Sequence, residues 1–258
     1  MKGRIPVYLE VTRKRTFAGA VEWPGWCRSG KTPDEALEAL VAYADRYAAV
    51  ISRSQLGFQR PRGVDIDEAM AALVANADRL AVVISRSQLG FQRPRGVDDL
   101  EEVERLTGNA TTEFGAPGVP PKADARPLPP KELKRLTTIL EASWRALDRA
   151  ADKAQGVRLT KGPRGGGRDL PKMENHVFEA EEGYVGALGS RPPRLLDASL
   201  AKRSAALRAN AVDALAARAR NKPVADPRET KRPWSPRFYV RRSAWHALDH
   251  AWEIEDRS

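Results

Sequence analysis

The chain has 258 residues, 41% of them hydrophobic, and a formal net charge of +10 from 44 Lys and Arg against 34 Asp and Glu. That length suits one large domain or two small ones with real cores, and the single cysteine, Cys27, excludes an internal disulfide framework and fits a reducing cytosol. No run approaches the roughly 18 apolar residues of a membrane span, and the polar segment Met1 to Arg15 lacks a signal-peptide core, so a cytoplasmic protein without membrane association is expected.

The charge is unevenly spread. Residues 191–242 hold 14 Lys and Arg against 4 Asp and Glu, which accounts for the whole excess. Such a zone can attract nucleic acid, but no aromatic-interleaved patch or nucleic-acid motif accompanies it. We read it as arginine on solvated faces, with nucleic acid ranked last among candidate partners.

In chain order, residues 5–12 and 17–23 read as two strands joined by the basic turn Arg13-Lys14-Arg15. A helix then opens with Thr32 as N-cap, Pro33 in the first position and Glu35 three residues after the cap, the pattern of a capping box. It starts a near-perfect tandem repeat: residues 34–65 recur as 67–98, with 27 of 32 positions the same and the 16 residues 50–65 and 83–98 identical. Two copies are too few for a solenoid, and such identity points to a recent duplication. Each copy is expected to be an amphipathic helix, ending near Ser52 and Ser85, followed by a Gly- and Pro-bearing loop.

Residues 100–106 suggest a short strand. Residues 107–130 carry six prolines and several glycines with little periodicity, which predicts a linker and a domain boundary. The sequon Asn109-Ala110-Thr111 within it is read as chance. Four amphipathic helices are then expected at 131–154, 170–189, 195–220 and 237–256, separated by the glycine-rich loop 161–168 and a proline-bearing connection, which is the pattern of a four-helix bundle. The loop matches no phosphate-binding motif, and is read as a connection that can lie over the bundle mouth.

The three histidines of the chain carry the functional signal. His246 and His250, at i and i+4, stand one above the other on the last helix and can grip one metal ion together. His176, in another helix, can close a three-ligand site with a coordination position left open, as in catalytic sites. Nitrogen ligation favours zinc or nickel over magnesium. Trp245, Leu248 and Trp252 form the apolar stripe of the last helix, which leaves the histidine pair with Asp249, Glu253 and Arg257 on the other side. That side either lines a polar pocket or faces water. Asp249 and Glu253 are candidates to orient an imidazole or to move a proton, and Arg241 and Arg242 are candidates to hold an anionic group.

One histidine in the second helix and an HxxxH pair in the fourth make residues 131–258 resemble the DinB/YfiT-like metal-binding four-helix bundles. The resemblance implies a divalent metal held by His176, His246 and His250, and a low-molecular-weight thiol or other small molecule as partner or substrate. Separately, the run Glu22-Trp23-Pro24-Gly25-Trp26-Cys27, with Gly30, Thr32, Glu35 and Ala36, is similar to the HicB-like antitoxin domain over residues 5–48, although Trp26 interrupts the usual Pro-Gly-Cys turn. That likeness implies a small α+β fold. The whole is expected to be α+β: a HicB-like domain at 1–106, the linker, and a DinB-like bundle at 131–258. The expected function is a metal-dependent enzyme that activates a thiol or water for transfer or hydrolysis. The rival is a non-catalytic regulatory or interaction protein with the bundle as scaffold.

Overall fold

The computed structural model describes residues 4–53, 90–162 and 167–258. Within them helix dominates, and a four-stranded mixed sheet completes an α+β fold. The strands β1 (Ile5–Val11), β2 (Thr16–Ala20), β3 (Cys27–Gly30) and β4 (Leu100–Thr107) lie in the order β3-β2-β1-β4. β1 runs antiparallel to β2 and parallel to β4. The Thr12 hydroxyl closes the basic turn, donating to Arg15 O at 3.0 Å and accepting from Arg15 N–H at 3.1 Å.

β3 was not expected. The chain leaves β2 at Ala20, short of the predicted Trp23, and reverses through Trp23-Pro24-Gly25-Trp26. Gly25 has φ +91°, and a Cβ there would meet Leu248 Cδ1 at 3.0 Å and Ala244 Cβ at 3.2 Å. Glycine thus serves both the left-handed backbone and the close seat of the turn on the histidine-bearing helix.

Val7, Tyr8, Leu9 and Glu10 are all buried, the mark of a strand covered on both faces. On one face Val7, Leu9, Ala18 and Ala20 join Ala36 and Leu40 of α1 (Pro33–Ala42) in the core. On the other, Phe17 and Cys27 pack with Trp245 of α7 (Pro236–Arg257), the Phe17 and Trp245 rings meeting edge-on at 5.9 Å.

The expected cap of α1 is present: the Thr32 side chain accepts from Glu35 N–H. Glu35 reaches back to Lys31 N–H at 2.8 Å, one residue beyond the N-cap position of a standard capping box. The helix does not run unbroken to Ser52. It ends at Ala42, and α2 (Ala44–Arg53) follows after Tyr43. Tyr47 of α2 donates to Pro24 O at 2.9 Å and stacks on Trp26.

The described residues use the front of the first repeat copy, 34–53, and the tail of the second, 90–98. These are complementary pieces of one copy. Phe91 packs 5.1 Å from the Tyr47 ring, and Arg93 pairs with Asp45 at 2.9 Å. The remainder, including the helix expected in the second copy, lies outside the described residues. The first copy carries Tyr43 and Tyr47 where the second has Asn76 and Leu80, so it alone can supply the Tyr47 hydrogen bond and stack. Because the copies are identical across the join, deleting residues 57–89 leaves one intact copy in sequence. The melting temperature of that shortened chain is expected to stay within a few degrees of the parent, since it keeps every described residue and one complete copy. Loss of a cooperative thermal transition would refute this reading.

Residues 107–130, expected as a bare linker, instead form part of the fold's wall. They carry α3 (Ala110–Phe114), N-capped by Asn109, and a 3-10 turn at Lys122–Ala125. Two buried carboxylates explain the attachment. Glu10 of β1 accepts from the Thr112 hydroxyl and from the N–H groups of Gly118 at 2.9 Å and Val119 at 3.2 Å. Asp124 pairs with Arg241 of α7 at 2.7 Å. Neither bond has a local sequence signature.

Beyond it come α4 (Pro130–Lys153), α5 (Leu170–Leu188), α6 (Leu200–Ala219) and α7, within two residues of the expected bounds except at the start of α6. There Ser199 caps the helix and leaves Leu195 and Leu196 exposed. α7 lies against α4, α5 and α6, and also against the 3-10 turn. One hydrophobic cluster runs from Val7 in the sheet to Ile254 in α7. Between α5 and α7, the buried Glu181 accepts from the Tyr239 hydroxyl and, at 2.7 Å, from Ser243. Burial pushes its carboxyl above the ordinary range. This pairing fixes how the two histidine-bearing helices lie against each other.

Candidate metal centre

Both helices that carry histidine have well-defined starts. Asp169 caps α5 through Lys172 N–H, and Ser235 caps α7 through Phe238 N–H, each followed by proline within the first two positions. The caps set the phase of each helix and so the direction of its side chains. His246 and His250 stand one turn apart on α7, with ring centroids 4.7 Å apart. His176 of α5 meets them at 5.2 and 5.1 Å. One donor atom from each ring lies within 4.8 Å of the other two, a group that could hold a metal ion.

The two histidines on the polar side of α7 do not face water. His246 is 5% and His250 8% exposed. Buried imidazoles resist protonation. Burial, aided by the nearby His250 and Arg242 charges, holds His246 well below its ordinary pKa, and burial with Arg168 lowers that of His176. Both rings are therefore neutral at neutral pH, the state a metal ligand requires. His246 Nδ1 is buried with no hydrogen-bond partner among the described residues. A buried nitrogen left without a partner is costly, and a cation is one group that would satisfy it.

Glu253 selects the tautomer of His250. Its Oε2 lies 2.9 Å from His250 Nδ1, and the hydrogen bond from that ring holds the carboxyl below its usual range. An ionised carboxylate only accepts, so Nδ1 carries a proton and Nε2 is the ring nitrogen left to face a metal. Arg257 steadies Glu253 at 2.7 Å and donates to Thr160 O at 2.8 Å and Arg168 O at 2.9 Å. This clamps both described ends of the glycine-rich loop to α7. Pro163 to Gly166 of that loop lie outside the described residues.

The histidines form one wall of a cavity of about 1160 Å³. Lys161, Gly162, Gly167 and Arg168 contribute from the loop, Arg28 and Tyr43 from the N-terminal half, and Phe114, Gly115 and Ala116 from the end of α3 and the turn after it. The cavity is thus built from both halves of the chain.

The other sequence candidates divide. Asp249 lies in the cavity wall but pairs with Arg28 at 2.9 Å and makes no bond to an imidazole among the described residues. Arg241, expected to hold an anion, is spent elsewhere: it is buried and donates to both oxygens of Asp124 and to Ala20 O and Val21 O. Arg242 does line the cavity. Cys27 is buried, and burial followed by the Glu10 charge pushes its thiol up to about 12, so it is inert at neutral pH. In the basic zone, Arg191, Arg208, Arg237 and Arg241 are paired with carboxylates.

No family model, curated protein or solved structure matches the chain. The site is therefore read from its own geometry. No helix among the described residues is long and apolar enough to cross a membrane. Sequence reasoning missed Arg28, which is 221 residues from its partner Asp249 and has no local signature. Arg257 was placed on the histidine face by sequence but given no role, although its i+4 spacing from Glu253 allows the ion pair the structure forms.

Proposed function

We propose that the chain is a metal-dependent enzyme of the DinB-like type, in which His176, His246 and His250 hold one divalent ion, zinc or nickel. The observation that carries this reading is the convergence of three imidazoles, one with an orphaned buried nitrogen, on the wall of a large cavity. An ion held by neutral imidazoles would keep its full double charge and lower the pKa of a thiol or water, which supports transfer or hydrolysis. The protein's own part is positional. Glu253 fixes the His250 tautomer, and Arg257 fixes Glu253. Asp249 lines the cavity beside Arg28 and would be the carboxylate to take a proton from a bound small molecule.

Metal analysis of the purified chain tests the proposal. About one zinc or nickel per wild-type chain is expected, and its loss in His246→Ala and in His250→Ala. Equal metal content in parent and variants would dismiss the ligand set.

A further inference from the structure

Among the cations of the cavity wall that the metal reading leaves unused, Lys161 and Arg168 are exposed, whereas Arg242 is buried. It is 9% exposed, and its Nη1 is buried with no hydrogen-bond partner among the described residues. Its neighbours differ. Arg28, Arg241 and Arg257 each pair with a carboxylate. Glu10, whose carboxyl feels the Arg242 charge, accepts from Thr112, Gly118 and Val119 instead. A buried cation without a partner costs several kcal/mol in general. Two aromatic rings hold this one in place, Trp245 at 4.7 Å and Tyr184 at 5.2 Å from the guanidinium carbon.

Arg242, His246 and His250 follow one another at four-residue spacing on α7 and share one face. The Arg242 and His246 backbones are about 6 Å apart along the helix axis, and the Tyr184 ring lies beside both the Arg242 guanidinium, at 5.2 Å, and the His246 ring, at 5.7 Å. A planar guanidinium takes a planar carboxylate through two parallel hydrogen bonds, and apolar surface beside it suits an organic acid better than inorganic phosphate. Trp245, Tyr184 and the exposed Phe114 offer apolar surface beside it.

We propose that Arg242 is the carboxylate-binding residue of this cavity, and that the substrate is a small organic acid with an apolar body, its carboxylate a few bonds from the atom that reacts at the histidines. This rests on the enzyme reading for the word substrate, but the anion site itself does not need the metal.

Calorimetric titration of the metal-free protein with benzoate, acetate and inorganic phosphate tests it. Benzoate is expected to bind saturably, acetate more weakly, and phosphate least. Arg242→Gln should weaken benzoate binding about tenfold or more while keeping the wild-type metal content and a melting temperature equal to or above the parent's. Arg242→Lys, which keeps the charge and loses the fork, should fold as wild type and lose part of the affinity. His246→Ala should lose metal yet still bind benzoate, so failure of the metal reading and of the anion reading show separately. Benzoate binding that is absent in the wild type, or equal in the wild type and both Arg242 variants, would overturn the proposal. Phosphate binding tighter than benzoate would overturn the carboxylate class. A large loss of stability in Arg242→Gln, restored by adding Glu10→Gln, would reassign Arg242 to balancing that buried charge.

Discussion

Arg241→Ala is expected to cost about 3–5 kcal/mol of stability, the usual penalty for removing one partner of a buried ion pair. The guanidinium is 5% exposed and Asp124 2%. Without Arg241 that carboxylate stays buried with its countercharge gone, and Ala20 O and Val21 O each lose a donor. The pair also ties three separate pieces together: the end of β2, the 3-10 turn and α7. Urea denaturation followed by far-UV circular dichroism measures the effect. Because the pair must repay two desolvations, the double replacement Arg241→Met with Asp124→Leu is expected to recover most of the loss. A single-variant loss below about 1 kcal/mol would show that the pair is not structurally coupled in solution.

The second large effect separates two carboxylates that look alike in sequence. Glu253→Ala is expected to lower metal affinity by about 10–100-fold, because the ligand His250 then loses the acceptor that sets its tautomer. Asp249→Asn should leave the affinity nearly unchanged, since Asp249 pairs with Arg28 and touches no imidazole among the described residues. Competition against a chromogenic chelator reads both. An equal or larger loss in Asp249→Asn would reverse the assignment.

Much of this was legible because it is local. The caps at Thr32, the starts of α4, α5 and α7, and the His246–His250 spacing are properties of short windows, and short windows are what periodicity reports. The strand Cys27–Gly30 was hidden by the reading of its neighbourhood as a turn. The break at Tyr43 was hidden because the amphipathic pattern continues across it. For α7 the sequence left two readings open, a polar pocket or a wet face. Its sequence shows an apolar stripe through Trp245, Leu248 and Trp252 with charge opposite, which ordinarily means one wet face. Here the charges are met by partners far along the chain: Arg28 meets Asp249 across 221 residues, and Arg241 meets Asp124 across 117. Likewise, nothing in residues 107–130 announces that Glu10 and Arg241 will hold them down. Charges that are neutralised at long range read, one window at a time, as charges left in solvent.

The cavity takes Arg28 and Tyr43 from one half of the chain and its histidines from the other. This has a practical corollary for anyone who would cut or graft the protein. Transplanting the two histidine helices into a foreign scaffold would carry over the ligands but leave behind the opposite side of the vessel that encloses them. Swapping the front half for a cousin would likewise have to preserve a handful of aromatic and basic side chains with no bearing on its own sheet. The halves are bound to vary together.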